Sequence, residues 1–473
     1  MKTIWIRMLF GLALVAGAAG CALTNPTNPY AGMAAPGLEQ QYPGGASRSA
    51  ATLPVEGPVT LDNAIRVARI NNPELAATAH EVSAAEARGD IANGQRLPSL
   101  HAIAAYTSYL NDQRLIAPRG NGELGVFSRD IVAGDLVVSM PLFTGGRITS
   151  EIRAAELLRQ SAEHHLARTR EELVFNVSSV FYSILSQKKV IESLGFSRKT
   201  LEEHLKRVDD LIAVEKAAKV DRLRTEVRLA DLDQRTVQEK NILAIQVRVL
   251  ENLMGLKDSH PPLDVAGDLA SDEAGPTPSL EEELSRAIGS RDDYLSARAE
   301  LEAQAKSVDA ARAAQWPTVS LQGAYGGRWA ADASEHPSGT SRSDDVGVAG
   351  VVVDVPIFEG GRIEARIREE RARLAATRER LRKLELQIRL DVETAFLNVA
   401  SSRERVAATE KAIEQAKESL RIEREKYDLG KGAIIDVLDA QTALLDSQTN
   451  YYRALADYST AHAQLRLVVG EKR

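Results

Sequence analysis

Four segments of the chain alternate apolar and polar residues with a period of two, the pattern of a β-strand that has one apolar face. They lie at about residues 99–110, 130–143, 318–330 and 345–358. Each has about the length of a strand that crosses a membrane. The positions of the apolar face are Leu100, Ala102, Ala104, Tyr106, Ser108 and Leu110; Leu136, Val138, Met140 and Leu142; Val319, Leu321, Gly323, Tyr325, Gly327 and Trp329; and Val351, Val353, Val355 and Ile357.

Long stretches that are rich in charge and poor in glycine follow each pair of strands, and they are typical of helices. We predict long helices at about residues 145–210, 218–255, 360–427 and 433–470, and shorter ones at 59–71, 74–96, 278–290 and 292–315. The longest would span roughly 100 Å, so it must pack against other long helices. The last helix has a heptad stripe suited to such packing. This stripe consists of Ala440, Leu444, Ser447, Tyr451, Ala454, Tyr458, Ala461, Leu465 and Val468.

The chain contains two copies of one helix–strand–strand–helix unit. The segment Pro141-Leu142-Phe143-Thr144-Gly145-Gly146-Arg147-Ile148 returns 215 residues later as Pro356-Ile357-Phe358-Glu359-Gly360-Gly361-Arg362-Ile363. Proline is expected to end each strand, and the paired glycines are expected to allow the backbone angles of a strand-to-helix turn. We predict repeat 1 at residues 59–256, a linker at 257–277 and repeat 2 at 278–471.

The N-terminus resembles an export signal followed by a lipid-attachment site. Residues 1–20 have a positive start and a short apolar core, as signal peptides do. The single cysteine, Cys21, follows Ala18-Ala19-Gly20 and is similar in position to the acylated cysteine of bacterial lipoproteins, palmitate being one of the attached chains. Ala22, rather than aspartate, favours sorting to the outer membrane. An ordinary cleavage site near a chance cysteine is the alternative, and residues 21–58 would form the tether.

Composition argues against several classes of protein. The net charge of −7 argues against nucleic acid as a partner. The eight histidines, including adjacent His164 and His165, form no metal-ligand spacing, so we expect neither a metal nor a cofactor. No phosphate loop or nucleophile elbow is present, and we expect no enzyme.

Four strands cannot close a barrel, and open sheet edges are not tolerated in lipid. Closure therefore requires other chains, and three chains would supply twelve strands. Tyr106, Tyr109, Tyr325 and Trp329 lie toward the loop ends of the strands, where they suit an aromatic belt at the membrane interface, although strand propensity explains them nearly as well. The alternative function is that of a periplasmic coiled-coil lipoprotein with a scaffolding role.

In this arrangement the chain resembles the TolC family of outer-membrane efflux proteins, over nearly the whole mature sequence. The resemblance rests on the duplicated unit, the two Pro-x-Phe-x-Gly-Gly turns, Ala64 through Asn72-Pro73-Glu74-Leu75, and Tyr427-x-x-Gly430 followed by Ile434-Ile435-Asp436-Val437-Leu438-Asp439-Ala440. It implies an α+β membrane protein that forms a homotrimer, with one 12-stranded β-barrel in the outer membrane and a long periplasmic coiled-coil α-barrel. A periplasmic adaptor and an inner-membrane pump would dock at the helical tips, and drugs, metal ions or polypeptides would leave through the duct.

The resemblance also implies a periplasmic gate. It assigns acidic rings to Asp436 and Asp439, and latch positions to Tyr427 and Asp221. The expected basic latch residue is replaced by Gly432, so Lys216, Lys219 or Lys431 would have to take over its role. The alternative is that the aspartates only favour the dipoles at helix starts.

Overall fold

The computed structural model describes residues 57–120, 122–256, 263–269, 279–331 and 340–471. By its internal contacts the chain divides into two units, residues 1–54 and 55–473, and all described residues belong to the second. The predicted signal peptide, Cys21 and nearly all of the tether lie outside the described residues.

The second unit contains the same order of elements twice. The first copy comprises α1 (Leu61–Asn71), α2 (Pro73–Gly94), β1 (Ser99–Arg114), β2 (Phe127–Phe143), α3 (Arg147–Ala213) and α4 (Lys219–Leu253). The second comprises α5 (Leu280–Ser290), α6 (Asp292–Ala313), β3 (Thr318–Ala330), β4 (Ser343–Asp354), α7 (Arg362–Asp428) and α8 (Ile434–Val469). The duplicated helix–strand–strand–helix unit is therefore confirmed.

The four strands form one antiparallel sheet in the order β1-β2-β3-β4. Cross-strand partners share a face, and the register pairs Ala102 with Leu136, Leu136 with Tyr325, and Leu321 with Val351. All the predicted apolar positions that have a cross-strand partner therefore fall on one face, as the alternation indicated, whereas Leu110 and Leu142 lie at irregularities of the register.

The two turn prolines behave differently, and the prediction that both end their strands is wrong for Pro141. Pro141 lies inside β2 and is paired with Ser320 next to a bulge, whereas β1 already stops pairing at Ser139. One side of β2 is thus free at that point, and a missing N–H is tolerated there. Pro356 does follow the end of its strand at Asp354, so residues 355–358, which we predicted as strand, lie outside β4.

The glycine pairs at the strand-to-helix turns have left-handed backbone angles. Gly145 and Gly146 have φ of 64° and 87°, and Gly360 and Gly361 have 60° and 78°. The two copies differ in the space around the first glycine. A Cβ atom on Gly145 would lie 2.7 Å from both the Ala313 carbonyl oxygen and the Trp316 Cβ, whereas one on Gly360 would meet nothing within 4 Å.

The helices pack as two long hairpins, and the shorter helices pack against the long ones. α3 packs against α4, α6 and α8, and α7 packs against α6 and α8. Six positions of the predicted heptad stripe are buried, and Ser447, Tyr451 and Leu465 are partly buried. In the part of the chain that the structure describes, every helix is too short or too polar to span a bilayer.

Candidate functional site

The apolar face of the sheet is exposed in the single chain. Leu100 is 67% exposed, Tyr325 61% and Val351 60%. β1 and β4 are edge strands, each paired on one side only. A surface of this kind requires a partner, because large exposed apolar patches and long free edges are unstable in water.

Two tyrosine–aspartate hydrogen bonds lie on this face near the loop ends of the strands. The Tyr106 hydroxyl donates to Asp130 Oδ1 at 2.8 Å, and the Tyr325 hydroxyl donates to Asp345 Oδ2 at 3.1 Å. Both residues of the first pair recur in the second copy, so the duplication has kept the pair. The sequence analysis selected the tyrosines as interfacial residues but missed their carboxylate partners.

A second group of apolar residues lies at the opposite end of the sheet beside the strand-to-helix turns, and the sequence analysis had assigned only Ile357 of this group to the apolar face. Phe143 is 48% exposed, Trp316 61%, Ile357 94% and Phe358 87%. Phe143 and Phe358 occupy the same position of the two copies, 215 residues apart. That coincidence within the repeated turn was the pattern that could have identified them.

The other face of the sheet is more polar and carries charged side chains, although Ile103, Val348 and Val352 also lie on it. Arg328 donates from Nη1 to Asp135 Oδ1 at 2.7 Å, across β2 and β3. Gln322, on the same face of β3, lies opposite Ser139 and Gly350. The two faces therefore differ as expected for contact with lipid on one side and water on the other.

The turns that join α3 to α4 and α7 to α8 form a helical tip, where the predicted gate residues lie. Asp221 accepts a hydrogen bond from the Ala218 backbone N–H, and Asp436 accepts one from the Ala433 N–H, both at 3.3 Å. Both carboxylates thus cap the start of their helix. Glu215, in the first turn, has φ of 58°, a left-handed angle that Gly430 adopts at the same position of the second copy.

Asp439 has a partner that the sequence analysis missed. Its carboxylate lies 3.5 Å from the Arg228 guanidinium of α4. One heptad further along both helices, Arg235 lies 3.2 Å from Asp446. Complementary charges spaced by seven residues on two predicted helices were the pattern that could have indicated these pairs.

Tyr427 is buried at the tip, where its ring packs against His204 of α3 with the centroids 5.4 Å apart. Among the described residues, neither the Tyr427 hydroxyl nor His204 Nε2 finds a hydrogen-bond partner. Burial raises the pKa of Tyr427, and the nearby Asp221 and Asp428 add to this. Burial lowers the pKa of His204, and the Arg424 guanidinium lowers it further.

The paired histidines have separate surroundings. His164 Nδ1 lies 2.7 Å from Asp292 Oδ1 and joins α3 to α6. His165 is exposed on the next position of the same helix. The two rings therefore do not act together.

Comparison with known proteins gives a consistent result. A family profile described as "Outer membrane efflux protein" matches residues 64–256 and 284–471. The outer membrane protein TolC of Vibrio cholerae is 23% identical over 404 residues, which cover 85% of this chain and 89% of that protein. The outer membrane protein OprJ of Pseudomonas aeruginosa is 27% identical, with 82% and 80% covered. The cobalt-zinc-cadmium resistance protein CzcC of Cupriavidus metallidurans is 24% identical, with 88% and 90% covered.

Solved structures agree in fold. The outer-membrane channel OprN superposes with a TM-score of 0.74 at 20% identity, covering 87% of this chain and 90% of that one. CusC superposes with a TM-score of 0.73 at 17% identity, covering 87% and 92%.

Proposed function

The chain belongs to the outer membrane efflux protein family, and on that premise we propose that it is the passive exit channel of a tripartite export system. It would act as a homotrimer and would be joined in the periplasm by an adaptor and an inner-membrane pump. The observation that carries this proposal is a four-stranded sheet with an exposed apolar face, continued by helices of 67 residues. The chain itself would carry out no catalytic step.

The free surfaces of the chain support assembly with further copies. β4 of one chain can pair with β1 of the next, and three chains then close a ring of twelve strands without an open edge. The long helices also leave apolar side chains uncovered, which neighbouring helices of an α-barrel would bury. These residues are Val220, Leu223, Val227, Val237, Ile242, Ile245 and Val249 on α4, and Leu386, Leu390 and Leu397 on α7.

The distance between the aromatic residues at the two ends of the sheet matches the thickness of a membrane. Tyr325 lies nine positions after Trp316. At about 3.3 Å per residue and a strand tilt of about 40°, they span about 23 Å along the membrane normal. The apolar band of outer-membrane barrels is about 25 Å tall. We therefore place Phe143, Trp316 and Phe358 at the periplasmic interface, and the two tyrosine–aspartate pairs at the outer interface. Acylated Cys21 would add an anchor in outer-membrane lipid.

The periplasmic gate is proposed for the helical tip. Asp436 and Asp439 would form acidic rings around the threefold axis, and Tyr427 with Asp221 would hold the tip closed. Arg228 offers a basic group to Asp439 from within the same chain, in a tip where Gly432 replaces the expected basic residue. The matched relatives include a metal-resistance protein. For this chain, a drug, a metal ion and a polypeptide all remain candidate cargoes.

Membrane extraction and tryptophan fluorescence test the proposal. With Cys21→Ser the protein is expected to stay in carbonate-washed outer membranes, since the barrel holds it, and to migrate as a trimer in detergent. After removal of the signal peptide the chain has two tryptophans, Trp316 and Trp329. Lipids brominated near the headgroup should quench Trp316 in Trp329→Phe protein. Release of monomeric protein by carbonate would instead support the scaffolding lipoprotein.

The gate has its own test. Asp436→Ala combined with Asp439→Ala should reduce cation selectivity and block by multivalent cations in planar bilayers. Arg228→Ala should increase both, because it frees the Asp439 carboxylate. Unchanged selectivity in both variants would contradict the acidic gate but not the channel.

A further inference from the structure

The loop between β1 and β2 folds back over the sheet. We name its described residues, 115–120 and 122–126, the exit loop. Leu115 is only 7% exposed and packs, together with Val126, against Ile131 of β2 and Ala330 of β3. Within the described residues this is the one hydrophobic cluster that is built on the sheet. The loop is therefore held against the strands by burial of apolar surface.

The register identifies the face that the exit loop covers. Ile131 and Ala330 are cross-strand partners and share a face. Their strand neighbours Val132 and Trp329 are also partners and belong to the apolar face. The cluster thus lies on the polar face, which would line the lumen of the closed barrel. The exit loop would consequently lie inside the mouth of such a barrel.

One arginine fastens the exit loop to the far edge of the sheet. Arg119 donates from Nη2 to Asp344 Oδ1 at 3.1 Å and to the carbonyl oxygen of Asp345 at 2.5 Å. Asp344 is the cross-strand partner of Arg328 and so lies on the polar face of β4. Since β4 is two strands from β2, the loop reaches about 10 Å across the lumenal wall.

The exit loop is also braced internally. Arg114 donates to the carbonyl oxygens of Ile116 at 3.1 Å and Glu123 at 3.0 Å. The backbone N–H of Arg119 donates to the Glu123 carboxylate. These bonds shape the loop so that the Arg119 side chain is directed toward β4.

The dimensions of a twelve-stranded barrel make this loop large enough to matter. With strands about 4.8 Å apart and tilted by about 40°, the barrel has a radius of about 12 Å. A polypeptide segment that packs on the face of a sheet adds a layer up to about 10 Å thick. Three such layers, one from each chain, would fill most of the cross-section at the mouth.

We propose that the exit loop is an outer constriction that sets the size of the solutes leaving the channel, with Arg119 and Asp344 as its size-determining pair. The proposal rests on the trimeric channel proposed above. Arg119 and Asp344 have side chains that are 58% and 34% exposed, so their ion pair contributes at most about 1 kcal/mol. Such a weak fastening lets the loop be displaced by outgoing solute and return afterwards.

The test uses a cysteine placed in the lumen below the loop. Gln322→Cys lies on the polar face of β3, six residues from Arg328. In intact outer membranes it is treated from outside with a small maleimide and with a maleimide carrying a bulky polyethylene glycol. Labelling at this position is quantified by peptide mass spectrometry, so Cys21 does not interfere. The ratio of the bulky to the small labelling rate measures the constriction independently of the periplasmic gate.

We expect Arg119→Ala and Asp344→Ala to raise this ratio by roughly two- to fivefold, the population shift that corresponds to an exposed ion pair. The double variant should add little, because both changes remove one interaction. Arg129→Ala is the matched control, since it removes an exposed ion pair with Asp112 in the same hairpin. It should leave the ratio unchanged.

The outcomes separate the two proposals. The constriction is refuted, and the channel is not, if trimeric wild-type protein already reacts as fast with the bulky maleimide as with the small one. The same conclusion follows if the Arg119 and Asp344 variants have the same labelling ratio as the control. If wild-type protein is monomeric, so that both reagents reach an open sheet face equally fast, the trimeric channel itself is wrong, and the constriction with it.

Discussion

Replacing Arg291 with alanine should destabilise the chain by about 3 kcal/mol, although Arg291 is far from both ends of the proposed channel. Arg291 joins α5 to α6, and its side chain is 3% exposed. It donates from Nε and Nη2 to the two oxygens of Asp293, at 3.0 and 2.7 Å, and from Nη1 to Asp391 Oδ2 at 3.1 Å. Asp391 belongs to α7, so one guanidinium ties the short helices to a long one.

The magnitude follows from burial. Removing one partner of a buried ion pair costs about 3–5 kcal/mol, because the remaining charge loses its compensation. The side chains of Asp293 and Asp391 are 24% and 28% exposed, so water would compensate part of the loss, and the low end of this range applies.

Protonation of Asp293 should make the effect depend on pH. Burial acts to raise the pKa of this carboxyl, but its hydrogen bonds with Arg291 prevail and lower the pKa below the ordinary value of 3.8. A lowered folded-state pKa contributes stability that is present above the ordinary value and is lost as the pH falls through the folded one. The difference between wild type and Arg291→Ala should therefore be full at neutral pH and shrink below about pH 4.

Thermal unfolding, followed by far-ultraviolet circular dichroism, measures the change. For cooperative unfolding of a chain of 473 residues, a loss of about 3 kcal/mol lowers Tm by about 3 °C. Arg298→Ala is the control, because Arg298 and Glu302 of α6 are 62% and 52% exposed in their 3.4 Å ion pair. It should change Tm by less than about 1 °C. Equal shifts in the two variants would refute the argument from burial.

Three further predictions concern the tip and the turns. Lowering the pH below about 6.5 should increase trypsin cleavage at the tip. The reason is that protonation favours open forms of the tip, in which the His204 imidazole is charged and solvated, over the closed form that buries it neutral. His204→Phe should abolish this pH dependence. Glu215→Gly should stabilise the tip against proteolysis by about 1 kcal/mol by relieving a left-handed angle, and Gly430→Ala should destabilise it comparably. Gly360→Ala should lower the free energy of unfolding by about 1–2 kcal/mol because of its backbone angle alone. Gly145→Ala should lower it by at least about 1 kcal/mol more, because its Cβ would also clash with its neighbours. The difference between the two variants is measured as a difference in Tm.

The sequence predicted the elements well because each obeys a local period and each occurs twice. The strand ends were harder, since they depend on partners that no single segment reveals. Pro141 is the clearest case. Its sequence surroundings resemble those of Pro356. However, β2 continues to pair with β3 at Pro141 after its pairing with β1 has ended at Ser139. Whether a proline ends a strand is decided by the sheet around it.

The tip was predictable in position but not in chemistry. The spacing of Asp221 and Asp436 from their turns located both residues. Their role as caps depends on a backbone N–H three residues earlier. Every helix start offers such an N–H, so the sequence did not single out this contact. The ion pair of Arg228 with Asp439 joins residues 211 positions apart, so only their heptad spacing hinted at it. The exit loop followed no periodicity at all, and its contacts required the assembled sheet.

Differences between the two copies indicate how the tip can act as a gate although both halves share one fold. Asp221 and Asp436 make the same capping contact, so the helix starts need the same stabilisation in each copy. The residue of the first copy that corresponds to Asp439, however, is Arg224. If both copies faced the axis equally, these charges would offset one another and no acidic ring would form. An acidic gate therefore requires the second helical pair to lie innermost, and Arg224→Asp should then leave cation selectivity in planar bilayers unchanged, whereas a gain in selectivity would show that both pairs line the axis.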